Sequence, residues 1–217
     1  MPKVKVLDYQ VLNYKDALNM QEDIRHMISI REEDNTVLLL EHPPTITFGM
    51  RVHNENLFLS KEECERRGIE LIETTRGGDI TFHGHGQLII YPILNLKDFN
   101  YSIVSFIEMI EQTIISTLKK YNLNASTKPK YKGVWIDNKK IASIGLNVKK
   151  YISIHGAAFN INTDLSFFDL INPCGLGVET TSMEKELGRK IDIAEVKQKW
   201  IDIFKQYTAT DINYSRK

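Results

Sequence analysis

The stretch Arg76-Gly77-Gly78-Asp79-Ile80-Thr81-Phe82-His83-Gly84-His85-Gly86-Gln87 constrains this chain more than any other part of it. Four glycines, two histidines and an arginine fall within twelve residues. Strand-like apolar runs flank it, Ile69 to Thr74 before and Gln87 to Leu94 after. Glycine has no Cβ, so a Gly-rich segment between strands lets backbone N–H groups come close to a ligand. Arg76 adds a fixed positive charge, and His83 a group that titrates or hydrogen-bonds. The plain alternative is a wide hairpin connection with turn glycines. The stretch becomes specific only in combination with two later segments.

The rest of the chain alternates strand and helix patterns. Val4 to Leu12 reads as a strand, and Ala17, Met20, Ile24, Met27 and Ile28 give helical spacing over Asp16 to Arg31. Thr36 to Glu41 is a buried strand ended by His42-Pro43-Pro44, and Thr45 to Gly49 resumes an extended segment. Ser60 and Glu63 form a capping box for a short charged helix that stops at Gly68 and holds Cys64 as an inert surface or half-buried thiol. Ile103, Phe106, Ile107, Ile110, Ile114, Leu118 and Tyr121 form one apolar helical stripe, read as core packing. Gly133 to Ile136 and Lys140 to Val148 form a hairpin about Asp137-Asn138, with Tyr151 to Ile161 as a third strand. Asn172 to Gly177 is a loop, and Asp192 with Glu195 reads as a capping box for a last helix through Tyr207. With no repeat and no compositional break, residues 1–217 read as one α+β domain with a mixed, mainly antiparallel sheet and packed helices.

Composition excludes more than it proposes. Lys+Arg equals Asp+Glu at 28 each, so net charge gives no argument for nucleic acid or a membrane surface. No apolar run approaches the roughly 20 residues of a membrane span. The N-terminus has no signal or transit pattern, and two distant cysteines are not a disulfide framework. A reducing cytoplasm is the expected location.

Cys174 is the best nucleophile candidate, because a Pro/Gly-flanked loop can present a thiol and a nearby cation would favour its thiolate. Lys140 opens an otherwise apolar strand and is the candidate cation, although a lysine beside Asp137-Asn138-Lys139 is ordinarily solvent-exposed. His155 is either a site residue or a hydrogen-bonded core histidine. No ligand set for zinc accompanies His83 and His85, and there is neither a P-loop nor a strand–GxGxxG–helix unit.

Taken together, three regions resemble one family. Arg76 to Gln87 is similar to the R-G-G-x-x-T-Y/F-H-G-P-G-Q signature of lipoyl(octanoyl) transferases. Lys140-Ile141-Ala142-Ser143-Ile144-Gly145 and His155-Gly156-Ala157-Ala158-Phe159-Asn160 resemble its K-I-A-x-I-G and H-G-x-A-x-N segments, and Ile171 to Leu176 its I-x-P-C-G-L segment. His85 stands where the family has proline.

The resemblance implies the fold of the biotin/lipoate protein ligase catalytic domain. It implies transfer of an octanoyl or lipoyl group from acyl carrier protein to a lysine of apo lipoyl domains. Those acceptors are the E2 subunits of 2-oxoacid dehydrogenases and the glycine cleavage H protein. Cys174 would carry the acyl group as a thioester, and Lys140 would lower its pKa and act as acid and base. Arg76, Gly77, Gly78, Asp79, Ile80, Thr81, Phe82, His83, Ser143, Ile144, Gly145, His155, Gly156, Ala157 and Ala158 would line the acyl pocket.

No metal, nucleotide or other cofactor is implied, nor nucleic acid or membrane, and a monomer is expected. The chemistry is consistent, since a cysteine relay splits transfer from thioester to amine into two easier steps. Backbone N–H groups of Gly77-Gly78 would stabilise the oxyanion. The alternative is an ATP-dependent lipoate or biotin ligase on the same fold.

Overall fold

The computed structural model describes residues 2–51, 53–129, 131–172 and 178–217. In chain order the elements are β1 (Lys3–Val11), α1 (Tyr14–Ser29), β2 (Asn35–Glu41), β3 (Thr45–Phe48), α2 (Lys61–Arg66), β4 (Glu70–Glu73), β5 (Ile80–His83) and β6 (Gln87–Ile93). There follow α3 (Ile103–Lys119), β7 (Ser126–Lys128), β8 (Tyr131–Ile136), β9 (Lys139–Lys149), β10 (Ile152–Asn160), α4 (Met183–Leu187), α5 (Ile193–Thr208) and β11 (Asp211–Arg216). Among the described residues no helix is long and apolar enough to cross a membrane.

Eight strands form one mixed sheet in the order β11-β1-β2-β6-β10-β9-β8-β7. The β11–β1 and β1–β2 pairs are parallel, and those from β2 across to β7 are antiparallel. The central strands are covered on both faces, which explains why β2 is a continuous apolar run. Val37 and Leu39 belong to the core under α3 and α5, whereas Leu38 and Leu40 belong to the one under α1.

On α3, Phe106, Ile110, Ile114 and Leu118 are buried, each worth roughly 1.5–3 kcal/mol of apolar burial. The start of that stripe departs from the core reading. Ile103 is 52% exposed and Ile107 half-buried, because α3 there runs past the edge of the core. Trp200 of α5 donates through Nε1 to Thr113 Oγ1 on α3 at 3.1 Å, which joins the two helices.

A second, three-stranded sheet runs β4-β3-β5. The sequence reading has no strand inside the glycine-rich stretch, yet Ile80 to His83 pairs antiparallel with Thr45 to Phe48. Cys64 is likewise corrected. It is fully buried with Ile46, Ile69 and Phe82 in the core of this small sheet, and burial raises its thiol pKa. The Ser60–Glu63 capping box forms as expected. At Asp192 the side chain accepts from the Ala194 N–H, while Glu195 pairs with Lys199 instead of closing the box. β11 was not legible because only Ile212 along it packs on the core, and its place is set by parallel pairing with β1.

Gly156 fixes how closely β10 approaches β6. A Cβ there would sit 2.0 Å from the Ile90 carbonyl oxygen and 2.7 Å from Pro92 Cδ. Backbone cannot yield as a flexible side chain does, so Gly156→Ala is expected to destabilise the protein by about 3 kcal/mol or more. Urea denaturation measures this, and a loss below about 0.5 kcal/mol, the range of an innocuous surface change, would show that the two strands are not so tightly apposed.

Candidate active site

A cavity opens between the two sheets, beside β9 and β10. Arg76, Gly77, Gly78, Asp79, Ile80, Thr81 and His83 line one side, and Ser143 to Gly145 with His155 to Ala158 the other. Lys140 reaches the same space. Of the fifteen residues expected to form the pocket, only Phe82 lies elsewhere. Strand alternation turns its ring into the small-sheet core, where it stacks on Phe167 at 4.5 Å. Two tyrosines not singled out from sequence, Tyr14 and Tyr91, complete the lining. Their signal was weak, one at the start of α1 and the other on the buried strand β6. His85, at the usual proline position, is exposed and does not line the cavity.

Arg76 is the buried hub. Its Nε–H donates to Thr47 Oγ1 at 3.0 Å and its Nη2 to the carbonyls of Thr47 and Asp79 at 2.6 and 2.7 Å. Nη1 donates to its neighbour Gly77 O at 3.2 Å. One rigid fork therefore clamps the glycine-rich segment onto β3. The Gly77 N–H donates to Leu146 O on β9 at 2.9 Å. That bond corrects the oxyanion expectation, because the Gly77 amide is already engaged and only Gly78 remains of the pair.

From Arg76 a relay of polar groups crosses the molecule. Thr47 Oγ1 lies 3.4 Å from His83 Nε2, and His83 Nδ1 is 3.0 Å from Gln87 Oε1. The Gln87 amide donates to Asn160 Oδ1 at 2.9 Å, and Asn160 donates to Thr181 O at 3.0 Å. Because Gln87 spends its N–H groups on Asn160 and Phe82 O, its oxygen must accept, which puts the His83 proton on Nδ1. The Thr181 N–H then donates to the carbonyl of Lys140 at 2.9 Å, and the Lys140 N–H to Glu179 O at 2.8 Å. Half-buried Lys140 thus stands on a strand held from both sides. Its ammonium lies 5.4 Å from the Trp135 ring centroid, within cation–π range. Gly133, at φ +129°, leaves space that a Cβ would close to 2.7 Å from Lys140 Cε.

Three buried histidines are held neutral: His83 and His155, which line the cavity, and His42, packed behind its Tyr14 and Tyr91 walls. His42 Nδ1 faces Leu12 O at 2.6 Å and must carry the proton, so Nε2 accepts from Tyr91 OH at 2.8 Å. Burial brings the His42 pKa down to about 4, and His83 falls well below the ordinary imidazole range for the same reason. His155 drops to about 3 through burial and the nearby Arg76 and Arg25 charges. It is both a core histidine, 1% exposed, and a cavity residue. Its φ of +59° is rare for a side chain with a Cβ, and its N–H donates to Gln21 Oε1 at 2.7 Å.

Cys174 lies outside the described residues, as do Pro173 and Gly175 to Gly177. The chain before them is fixed by Asn172 N–H donating to Asn56 O at 2.8 Å. After them, Thr180 bridges Lys140 in parallel.

The sequence matches the lipoyl protein ligase A/B catalytic domain over residues 13–205. An octanoyltransferase of Desulforamulus reducens is 43% identical over 197 residues, covering 89% of this chain and 86% of that protein. Among solved structures, a bi-partite lipoate protein ligase from Thermoplasma acidophilum superposes with TM-score 0.74 at 16% identity, covering 100% of this chain and 88% of that one. A biotin protein ligase from Aquifex aeolicus gives TM-score 0.54 at 15% identity, covering 96% and 70%. The chain belongs to the lipoyl protein ligase A/B catalytic-domain family and, within it, to the octanoyltransferases, which are acyltransferases. The expected ligase-type fold is the one observed.

The neutral histidines set a pH dependence. Their folded pKa values lie below the ordinary 6.5, so the unfolded chain binds protons that the folded one refuses. Stability is kept above pH 6.5 and lost as pH falls towards the folded values. Between pH 7 and 5 each histidine should remove up to about 2 kcal/mol. Urea denaturation across that range should show falling stability, and a flat profile would mean these rings are charged or exposed.

Proposed function

We propose that this protein transfers an octanoyl group from acyl carrier protein to a lysine of apo lipoyl domains through a thioester on Cys174. The E2 subunits of 2-oxoacid dehydrogenases and the glycine cleavage H protein are the acceptors. The observation that carries the reading is that Lys140 shares one cavity with the glycine-rich segment and the small residues of β9 and β10. Gly145, Gly156, Ala157 and Ala158 leave a slot for a straight alkyl chain. One tether on the chain supports a meeting of Cys174 with Lys140. Val178 lines a groove with Lys140. Four residues of chain reach at most about 14 Å, so Cys174 cannot stray far from that point.

In the first step the Cys174 thiolate attacks the thioester carbonyl. The carbon–sulfur bond to the donor breaks, and the departing thiolate takes a proton from the Lys140 ammonium. In the second, neutral Lys140 accepts a proton from the acceptor lysine, whose amine attacks the acyl-enzyme. Cys174 leaves as thiolate, and one proton is released to water. The Gly78 N–H is the backbone donor left to meet the oxyanion. Arg76, Asp79 to Thr81 and His83 shape the acyl end of the site, with Ser143, Ile144 and His155 opposite. The cycle needs neither nucleotide nor metal, which separates it from a ligase.

The test is single-turnover mass spectrometry with octanoyl-acyl carrier protein, without ATP. One octanoyl group should appear on Cys174 and pass to an apo lipoyl domain. Cys174→Ala should abolish the adduct. Lys140→Met should slow both steps by roughly a hundredfold or more, as loss of an acid–base group does. An adduct on another residue, full transfer by Cys174→Ala, or a strict need for ATP would refute the proposal.

A further inference from the structure

A groove of about 400 Å³ adjoins the acyl cavity and shares Gly77, Gly78, Lys140, Ile144 and Gly145 with it. Its walls are mostly apolar, with Trp135, Leu146 and Val148 among them. Ile103 and Tyr131, exposed by 52% and 38%, also belong to it, which explains why the start of the α3 stripe is left outside the core. Arg51, Lys132 and Lys140 are its charged groups, and no carboxylate lines it among the described residues. Arg51 and Lys132 are both exposed and form no ion pair among those residues.

Such a surface fits a long, uncharged chain that ends in an anion. We infer that the groove receives the prosthetic arm of the acyl donor, with the arm's phosphodiester held by Arg51 and Lys132. This rests on the acyl-transfer reading given above. If the acyl chain fills the cavity and its carbonyl lies at Lys140, the sulfur-bearing half of the donor must leave through the shared wall, and the groove is what lies behind that wall. A phosphopantetheine arm has the matching order of groups. Its amides and gem-dimethyl carbon run along the apolar walls, and its phosphate comes last, against two cations that no carboxylate among the described residues neutralises. The binding energy gained there would draw the thioester towards Lys140 without contact between large protein surfaces.

The experiment compares two small donors, octanoyl-4′-phosphopantetheine and octanoyl-pantetheine, which differ only in the phosphate. The wild type should prefer the first by roughly tenfold or more in kcat/KM, the worth of one charge-assisted contact. In the double variant Arg51→Ala/Lys132→Ala that ratio should fall close to one, and in the wild type it should shrink with added salt. Should neither small donor turn over, free 4′-phosphopantetheine must inhibit the reaction of octanoyl-acyl carrier protein better than pantetheine does, and the double variant must erase the difference. No phosphate preference in the wild type, or a preference that survives in the double variant, overturns the assignment. So does a double variant that keeps the preference but stalls transfer from preformed acyl-enzyme to the lipoyl domain, which would give the groove to the acceptor. Absence of acyl transfer from octanoyl-acyl carrier protein itself would refute the acyl-transfer reading instead.

Discussion

The buried guanidinium of Arg76 is the interaction on which the cavity depends. It ties three carbonyls and one hydroxyl together, and these belong to β3 and the glycine-rich segment. A bare Gly-rich loop would sample many conformations, since glycine loses the most backbone entropy on ordering. Arg76 fixes this one by tying three carbonyls to a single charged donor, one of which, Asp79 O, also accepts from the Gly49 N–H. Through Thr47, His83, Gln87, Asn160 and Thr181 the same network reaches the main chain of Lys140. The cavity and the Lys140 cation that reaches it are therefore parts of one hydrogen-bonded frame that spans both sheets.

That frame also settles where charge is found. Burial makes protonation of His42, His83 and His155 costly, and each ring nitrogen that faces a carbonyl or amide oxygen carries the single proton. The floor of the cavity is consequently neutral but polar, with Tyr14 and Tyr91 kept in their phenol forms by the same burial. Arg76 and Lys140 are the cations that line the cavity. A neutral floor suits an uncharged alkyl chain, and a cation at the other end suits a thiolate and the proton traffic of acyl transfer.

Much of this was legible in the sequence because the site is built from contiguous segments. Arg76 to Thr81, His83, Ser143 to Gly145 and His155 to Ala158 come from runs whose glycines and small residues mark close packing, and they do meet in one cavity. What escaped was set by contacts distant in sequence. Phe82 sits within the signature, but strand alternation turns it into the opposite core. Tyr14 and Tyr91 are ordinary residues of a helix and a strand until the fold brings them together over His42. β5 could not be read from a stretch so rich in glycine, because it exists only by pairing with β3. Ile103 matched the helical period of α3 and was read as core, although periodicity cannot say where along a helix the core ends.

The central claim is that the Arg76 frame holds open a slot shaped for a medium-length acyl chain. Titration calorimetry with octanoate tests it most directly, on the wild type and on Arg76→Gln, with circular dichroism confirming that the variant keeps its fold. The account predicts saturable binding to the wild type, weakened tenfold or more in the variant, as expected when several charge-assisted hydrogen bonds that shape the slot are lost. Equal affinity in the folded variant, or no binding by the wild type, would contradict it.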